Sequence, residues 1–371
     1  MDFFKKRRVS YNFESKEDRE VFISECVDYI RENNIPYPLP KISESQALLE
    51  FDKLKKLNEV SLLKKGKWSS RKDYSYSFLD YYINNSRVGN NCSNYFHIYN
   101  RYLVGSDTYG ESVIEKWKDD KFLRQGLSAM IRFNSEFTLP NLNIAFHLQF
   151  YVASQFRPSS AKCLYNLLNS KNVLDFSSGW GDRLAGFCSS HAESYTGIDP
   201  NTNLIEDYKK QIKLYSCKKD ISMICDGAEF TDFPKCSFDT IFTSPPYFNC
   251  EAYSDDEKQS FKNYKTYERW RDNFLFKVLD NCWGFLKDKG YLVVNIADIN
   301  KEYNICDEMN EYIKTFKDAR YIGAIGYRLS VRPNIGVDQT SVYGEPIWIW
   351  RKNDSNFDLN TSKNFIKKTL F

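Results

Sequence analysis

Between residues 172 and 298 strand-length apolar runs keep alternating with helix-length segments, and this alternation constrains the fold more than any other feature. "NVLDF" (172–176), "SYTGID" (194–199), "ISMIC" (221–225), "FDTIFT" (238–243) and "GYLVVNIAD" (290–298) read as strands, with helical stretches at 182–190, 202–216 and 266–287. Strands joined by crossover helices predict an α/β fold built on a doubly wound, mainly parallel sheet. "YIGAIGYRLSV" and "SVYGEPIWIWRK" then predict an antiparallel pair at one edge of that sheet.

The chain before this region reads differently. Residues 16–33 carry apolar side chains at 21, 22, 23, 27 and 30, the spacing of an amphipathic helix that "NNIPYPLP" ends. Further helices are predicted over 43–57, 112–131, "IAFHLQFYVASQF" and "SSAKCLYNLLNS", the last opened by Pro158 with Ser159 or Ser160. From 67 to 110 aromatic residues alternate with basic and polar ones, and two readings stay open. One is a small aromatic-rich core; the other is a surface where Tyr and Trp stack on bases while Arg and Lys follow phosphates. The expected division is a mainly helical, aromatic-rich accessory region over 1–140, the doubly wound domain over 141–355 and a C-terminal tail over 356–371.

Composition narrows the class. A chain of 371 residues with 42% apolar and 27% charged residues suits a soluble protein of two domains, and no apolar run approaches the roughly 18–20 residues of a membrane span. "MDFFKKRRVSYNF" has a basic cluster but no apolar segment behind it, so no secretory signal is expected. The ten cysteines show neither a C-x-x-C pair nor Cys/His grouping at zinc spacing. No metal site is expected, and a reducing compartment follows: cytoplasm, or nucleus in a eukaryote. A net charge of +3 argues against a small nucleic-acid-coating protein while leaving room for a local basic cleft.

The chemistry sits at the strand ends. "VLDFSSGWGDRL" puts Asp175 at the end of a strand with Ser177, Gly179 and Gly181 in the following turn, where backbone approaches a ligand closely in sheets of this kind. Asp199 ends the next strand, 24 residues on, where an acid accepts hydrogen bonds from ribose hydroxyls. Asp226 and Ala228 follow the third strand in "ICDGAEF", at the height of an adenine ring. The turn lacks the full G-x-G-x-x-G pattern of pyrophosphate binding, which favours a nucleoside cofactor without a diphosphate. The fourth strand delivers "SPPY": Ser244 offers a hydroxyl acceptor, Pro245 and Pro246 stiffen a turn without N–H donors, and Tyr247 offers a face for stacking. An exocyclic amine on a base is a poor nucleophile unless acceptors draw its hydrogens out of the ring plane, and these residue types supply that.

With these residues in place the chain resembles the S-adenosylmethionine-dependent amino-methyltransferases of nucleic-acid bases, marked by a D-P-F-x-G-x-G turn and a [DNS]-P-P-[YFW] tetrapeptide. "DFSSGWG" is similar to the first at Asp175, Gly179 and Gly181, and "SPPY" to the second at Ser244 to Tyr247; "QFRPSSAKCLYNLL" and "EPIWIWRK" also look like family elements, over about 150–352. Phe176 and Ser177 depart from the Pro and Phe of the motif, and Trp180 stands between the glycines. The resemblance implies a Rossmann-like methyltransferase fold, S-adenosyl-L-methionine as cofactor, and methylation of a base in DNA. Serine in the tetrapeptide tilts the target toward cytosine N4 over adenine N6. Phe248, Glu251, Tyr253 and Arg332 are the expected substrate contacts, and the polar stretch 248–270 reads as a lid. A flipped-out base would have to be held in such a pocket. RNA or a protein amide is the alternative substrate, and a catalytically silent nucleic-acid-binding subunit is the alternative class.

Overall fold

The structure, a computed structural model, describes residues 4, 13–106, 110–133, 135–298, 302–329 and 342–352. The chain forms two compact units: the larger holds residues 43–97, 155–249 and 254–371, the smaller residues 1–42, 98–154 and 250–253. The region expected as an accessory over 1–140 is therefore divided, and its middle part builds the larger unit.

Ten strands of the larger unit form one sheet: β1 (Leu63–Lys65), β2 (Trp68–Ser69), β3 (Phe78–Ile83), β4 (Asn172–Asp175), β5 (Ser194–Ile198), β6 (Asp220–Ile224), β7 (Phe238–Thr243), β8 (Leu286–Asn295), β9 (Ala319–Arg328) and β10 (Val342–Lys352). Their order is β1-β3-β9-β10-β8-β7-β4-β5-β6, with β2 paired to β10 outside this path. β6, β5, β4, β7 and β8 run parallel. The chain winds outward from β4 through β5 to β6, then returns to lay β7 on the other side of β4. The crevice at the carboxyl ends of β4 and β7 is thus the topological switch point, the place where ligands bind in open α/β sheets.

The reversed strand lies inside the sheet rather than at its edge. β10 pairs antiparallel with both β8 and β9, and β3 and β1 continue the sheet beyond β9. Ile347, Trp348, Ile349 and Trp350 of β10 are all buried, so both faces of the strand are covered, as in the interior of a sheet. β1 presents exposed Lys64 and Lys65, residues suited to an open edge.

The aromatics of residues 68–78 join the core. The Trp68 ring stacks on Phe78 at 4.1 Å while its Nε1–H donates to the Leu79 carbonyl at 2.9 Å, and Tyr74 meets Trp348 edge-on at 5.2 Å. A helix at Ile305–Lys314, too polar in sequence to be expected, buries Cys306, Met309 and Ile313 against the same core. The helix expected over 266–287 runs through Tyr267–Trp270, a wider π-helical stretch Arg271–Phe276, and Lys277–Phe285.

The smaller unit packs the helices Lys16–Glu32, Asp120–Arg132 and Leu139–Gln149 around Ile23, Val27, Leu127, Phe137 and Phe146. Ser15 and Asp18 form a reciprocal capping box on the first of these. The helix expected over 112–131 is two, Val113–Trp117 and Asp120–Arg132, because Asp119 caps the second by accepting from the Lys121 N–H. No described helix is long and apolar enough to cross a membrane.

In the larger unit the Lys162 ammonium, only 4% exposed, donates to the carbonyls of Leu54, Lys55 and Leu57 at 2.9–3.0 Å and pairs with Glu59 at 3.3 Å. It closes the C-terminus of the helix Glu44–Lys56. Lys162→Met is expected to lower the stability by about 1–3 kcal/mol, since three carbonyls and a carboxylate lose their donor. Urea denaturation measures it; an unchanged midpoint would show that the cap is not needed.

Candidate active site

Asp175 ends β4 with no exposed surface, so its charge needs partners. Arg183 donates Nε to Oδ2 at 2.7 Å and Nη2 to Oδ1 at 3.2 Å, the Tyr195 hydroxyl donates to Oδ2 at 2.7 Å, Thr243 Oγ1 to Oδ1 at 3.0 Å and the Ser177 N–H to Oδ1 at 3.3 Å. Five donors fill the roughly four lone-pair positions of a carboxylate. The expected cofactor contact at Asp175 is thus spent inside the protein: the residue shapes the turn and joins β4 to β5, to β7 and to the helix Asp182–Ser189.

The turn that follows uses two glycines for two reasons. Gly179 has φ +59° and its missing Cβ would point into open space, with nothing nearer than the Ser177 carbonyl at 3.9 Å; its N–H donates to Asp199 Oδ2 at 2.8 Å. That side of the turn is bare backbone with open space beside it. Gly181, at φ +67°, caps the helix, and a Cβ there would meet Gln211 Oε1 at 2.2 Å and His97 Nε2 at 2.7 Å. His97 hydrogen-bonds Gln211 at 2.8 Å, and Gln211 Nε2 donates to the Gly181 carbonyl at 2.8 Å. Burial lowers the His97 pKa to about 4, so the latch is neutral. Ser177 donates its hydroxyl to the Phe176 carbonyl, and Trp180 is buried.

Asp199 keeps capacity that Asp175 does not. Among the described residues its carboxylate accepts only the Gly179 and Asn201 N–H groups, at 2.8 and 3.0 Å, one on each oxygen. Burial raises its pKa to about 6, against the opposing pull of those two backbone donors. Asp226 is half-exposed; Oδ1 accepts from the Gly227 N–H at 2.7 Å and pairs with Lys258 at 2.9 Å. Ala228 is buried at the start of a short 3₁₀ turn, Ala228–Phe230.

Ser244 continues directly from β7, next to β4. Pro245 is buried while Ser244, Pro246 and Tyr247 are half-buried, so the tetrapeptide lies at the rim of the core with part of each exposed group open. Burial, then the nearby Glu345 charge, hold the Tyr247 phenol well above its usual pKa, and the Ser244 hydroxyl lies within hydrogen-bonding reach of it. The phenol is therefore neutral.

The expected substrate contacts are placed apart. Phe248 is 5% exposed at φ +56°, enclosed by Tyr267, Trp270 and Tyr303 at 5.7–5.9 Å, which makes it a core anchor of the turn rather than a substrate contact. Glu251 and Tyr253 belong to the smaller unit, where the Tyr253 hydroxyl donates to the Glu251 carboxylate. Arg332, and the loop 331–341 that carries it, lie outside the described residues. Part of the stretch read as a lid is tied down: Asp256 accepts from the Thr202 N–H and hydroxyl at 3.1 and 2.8 Å, and Lys258 reaches Asp226. Both bonds land on the loops that follow β5 and β6.

Arg183, Tyr195 and Thr243 were not expected. Arg183 was readable in principle, since it stands eight residues after Asp175 in a helix whose positions after Arg183 are all small or apolar. Among the described residues no group of three or more His, Cys, Asp or Glu is placed to hold a metal ion. Arg183→Ala is expected to destabilise the fold by about 3–5 kcal/mol because it leaves Asp175 buried and unpaired. A smaller loss in Asp175→Asn/Arg183→Met than in the single variant, read by denaturant unfolding, would confirm that the pair, not either charge, is what matters.

The DNA methylase family matches residues 238–369, a little over a third of the chain, beginning at the strand that delivers Ser244. No curated protein matches the chain. Similar solved structures include a SAM-dependent O-methyltransferase from Thermotoga maritima (10% identity, 58% of this chain and 72% of that one, TM-score 0.37). A tRNA methyltransferase from Aquifex aeolicus (14%, 55% and 72%, 0.38) and an rRNA methylase from Streptococcus thermophilus (14%, 54% and 100%, 0.33) are similar to the same degree. At these scores they carry no argument, and the fold rests on the strand order itself. From residue 238 onward, the stretch that contains the "SPPY" turn, the chain is similar to the DNA methylase family of N4 and N6 amino-methyltransferases.

Proposed function

We propose that the chain transfers a methyl group from S-adenosylmethionine, the donor of the matched family, to the exocyclic amine of a base in DNA, with cytosine N4 favoured over adenine N6. The observation that carries this reading is the placing of Ser244-Pro245-Pro246-Tyr247 at the switch point, beside the open Gly179 turn on β4 and with Asp199 at the end of β5. Gly179 and the loop it belongs to fit the methionine part, the free lone pairs of Asp199 fit two ribose hydroxyls, and Asp226 with Ala228 lies where the adenine follows. When bound, the cofactor supplies an electrophilic sulfonium methyl.

The protein's own part is orientation. Tyr247 stacks on the target ring and fixes its plane. Ser244 accepts one amine hydrogen, and the proline-stiffened turn presents carbonyls without competing N–H donors. Serine at the first position supports cytosine N4. DNA is favoured over RNA by the family matched, and the base must leave its stack to reach the turn.

Tyr247→Ala is expected to lower turnover roughly ten- to hundredfold, the scale of about 1–3 kcal/mol for one base–aromatic stack, while Tyr247→Phe stays near wild type. Ser244→Ala is expected to lower turnover, and calorimetry is expected to show the same cofactor affinity in all three. Turnover at the wild-type rate in both Tyr247→Ala and Ser244→Ala would displace the site. Cofactor binding is expected to weaken as pH falls through about 6, where Asp199 takes up a proton and loses an acceptor; a flat affinity between pH 5 and 8, as expected for Asp199→Asn, would remove Asp199 from the ribose. The substrate is tested by offering labelled cofactor with single-stranded DNA, duplex DNA and RNA and digesting to nucleosides. N4-methylcytosine from DNA is the expected product; label in RNA alone would move the substrate class.

A further inference from the structure

The tetrapeptide leaves one proton without a destination. An amine that gains a methyl must lose a hydrogen, and a serine hydroxyl orients that hydrogen but remains an alcohol at neutral pH. A carboxylate or imidazole within reach is what takes up a proton. His97 is occupied beneath the glycine turn, Asp175 is filled by five donors and Asp298, with no exposed surface, is paired with Lys72 at 3.0 Å.

The strand registers lead to another acid. Thr243 pairs with Val294, so Ser244 extends β7 to the level of Asn295 on β8. Asn295 in turn pairs with Ile347 of β10 and donates Nδ2 to the Pro346 carbonyl at 3.0 Å. Because β10 runs antiparallel, two residues back along it lead outward over the same carboxyl edge, to Glu345. Two strand spacings, about 10 Å, and two residues of rise, about 7 Å, set the backbones of Ser244 and Glu345 roughly 12 Å apart, a gap that a planar base and one glutamate side chain span. Glu345 is also the largest electrostatic neighbour of Tyr247. Among the described residues no hydrogen bond ends on its carboxylate, although burial raises its pKa; the cations near it are Arg71 and Arg157, which pull the other way. A half-buried carboxylate without donors is a costly arrangement unless a ligand supplies them.

We propose that Glu345 is the acceptor of the amine proton, a catalytic residue of the methyl transfer inferred above, on which this proposal rests. The amine nitrogen lends its lone pair to the methyl carbon, the carbon–sulfur bond breaks with its electrons returning to sulfur as a neutral thioether, and the proton shed by the now positive nitrogen passes to a Glu345 carboxylate oxygen. Ser244 holds the other amine hydrogen. Arg71 and Arg157 favour the ionised carboxylate against the burial that raises its pKa, and after the transfer the proton leaves to solvent.

The test compares wild type, Glu345→Gln, Glu345→Asp and the double variant Ser244→Asp/Glu345→Gln. In single-turnover methylation Glu345→Gln is expected to fall about a hundredfold at unchanged cofactor affinity, the lower end for a positioned proton acceptor, with Glu345→Asp between the two. The double variant is expected to recover part of the rate, because a carboxylate again meets the amine. Independent of turnover, fluorescence anisotropy with S-adenosylhomocysteine present measures the preference for an oligonucleotide whose target base carries the amine over one carrying a carbonyl in its place. That preference is expected to drop roughly tenfold in Glu345→Gln, in the range of one lost base-edge contact. An active wild type whose Glu345→Gln variant keeps both rate and preference overturns this proposal alone. A wild type that methylates no nucleic acid overturns the parent reading and this one together.

Discussion

The ion pair between Asp175 and Arg183 is the constraint on which the larger unit depends. Two opposite charges with 0% and 5% of their side chains exposed are tolerable only in contact, so the end of β4 and the start of the following helix are locked to each other. Tyr195 brings β5 to the same carboxylate and Thr243 brings β7. The Thr243 bond has the widest consequence. It anchors the last residue before Ser244 to the last residue before the glycine turn, so the two sides of the switch point share one fixed carboxylate.

Three acids stand at equivalent strand ends, and burial decides what each does. Asp175 is deepest and is consumed by internal donors. Asp199 is shielded enough for its pKa to rise to about 6 and, among the described residues, accepts only two backbone N–H groups. Asp226 lies at the rim and exchanges its charge with Lys258 from the stretch that follows the tetrapeptide. Glu345, on a strand running the opposite way, arrives at the same edge from the other direction, which is why a reversed strand in the interior of the sheet matters for chemistry.

The segment 43–97 braces this site. Its strands extend the sheet past β9, its aromatic residues cover β10, and its His97 props the glycine turn through Gln211. Serving as a brace, the aromatics at 68, 74 and 78 turn inward and stack on core tryptophan and phenylalanine rings, so the nucleic-acid-stacking reading does not apply to them. Lys162 then fixes the end of the helix Glu44–Lys56 from the helix Pro158–Leu167 of the same unit.

The sequence by itself determined the parallel strands, their helices and the residues at the strand ends, because period-2 and period-3.6 burial patterns and Gly or Pro turn chemistry are local properties. It also located "SPPY" and the G-x-G turn, since both are contiguous. Strand order was beyond it: nothing local to "EPIWIWRK" says that β10 inserts between β8 and β9 instead of closing an edge, a choice made by burying both of its faces. Nor could it tell an acid that meets backbone N–H groups from one that meets an arginine, as Asp175 and Asp199 look alike in sequence. Only tertiary packing brought Tyr195 and Thr243 to the carboxylate that Arg183 meets, turned Phe248 into the core and carried Glu345 to the edge above Ser244, because those contacts join separate elements of the fold.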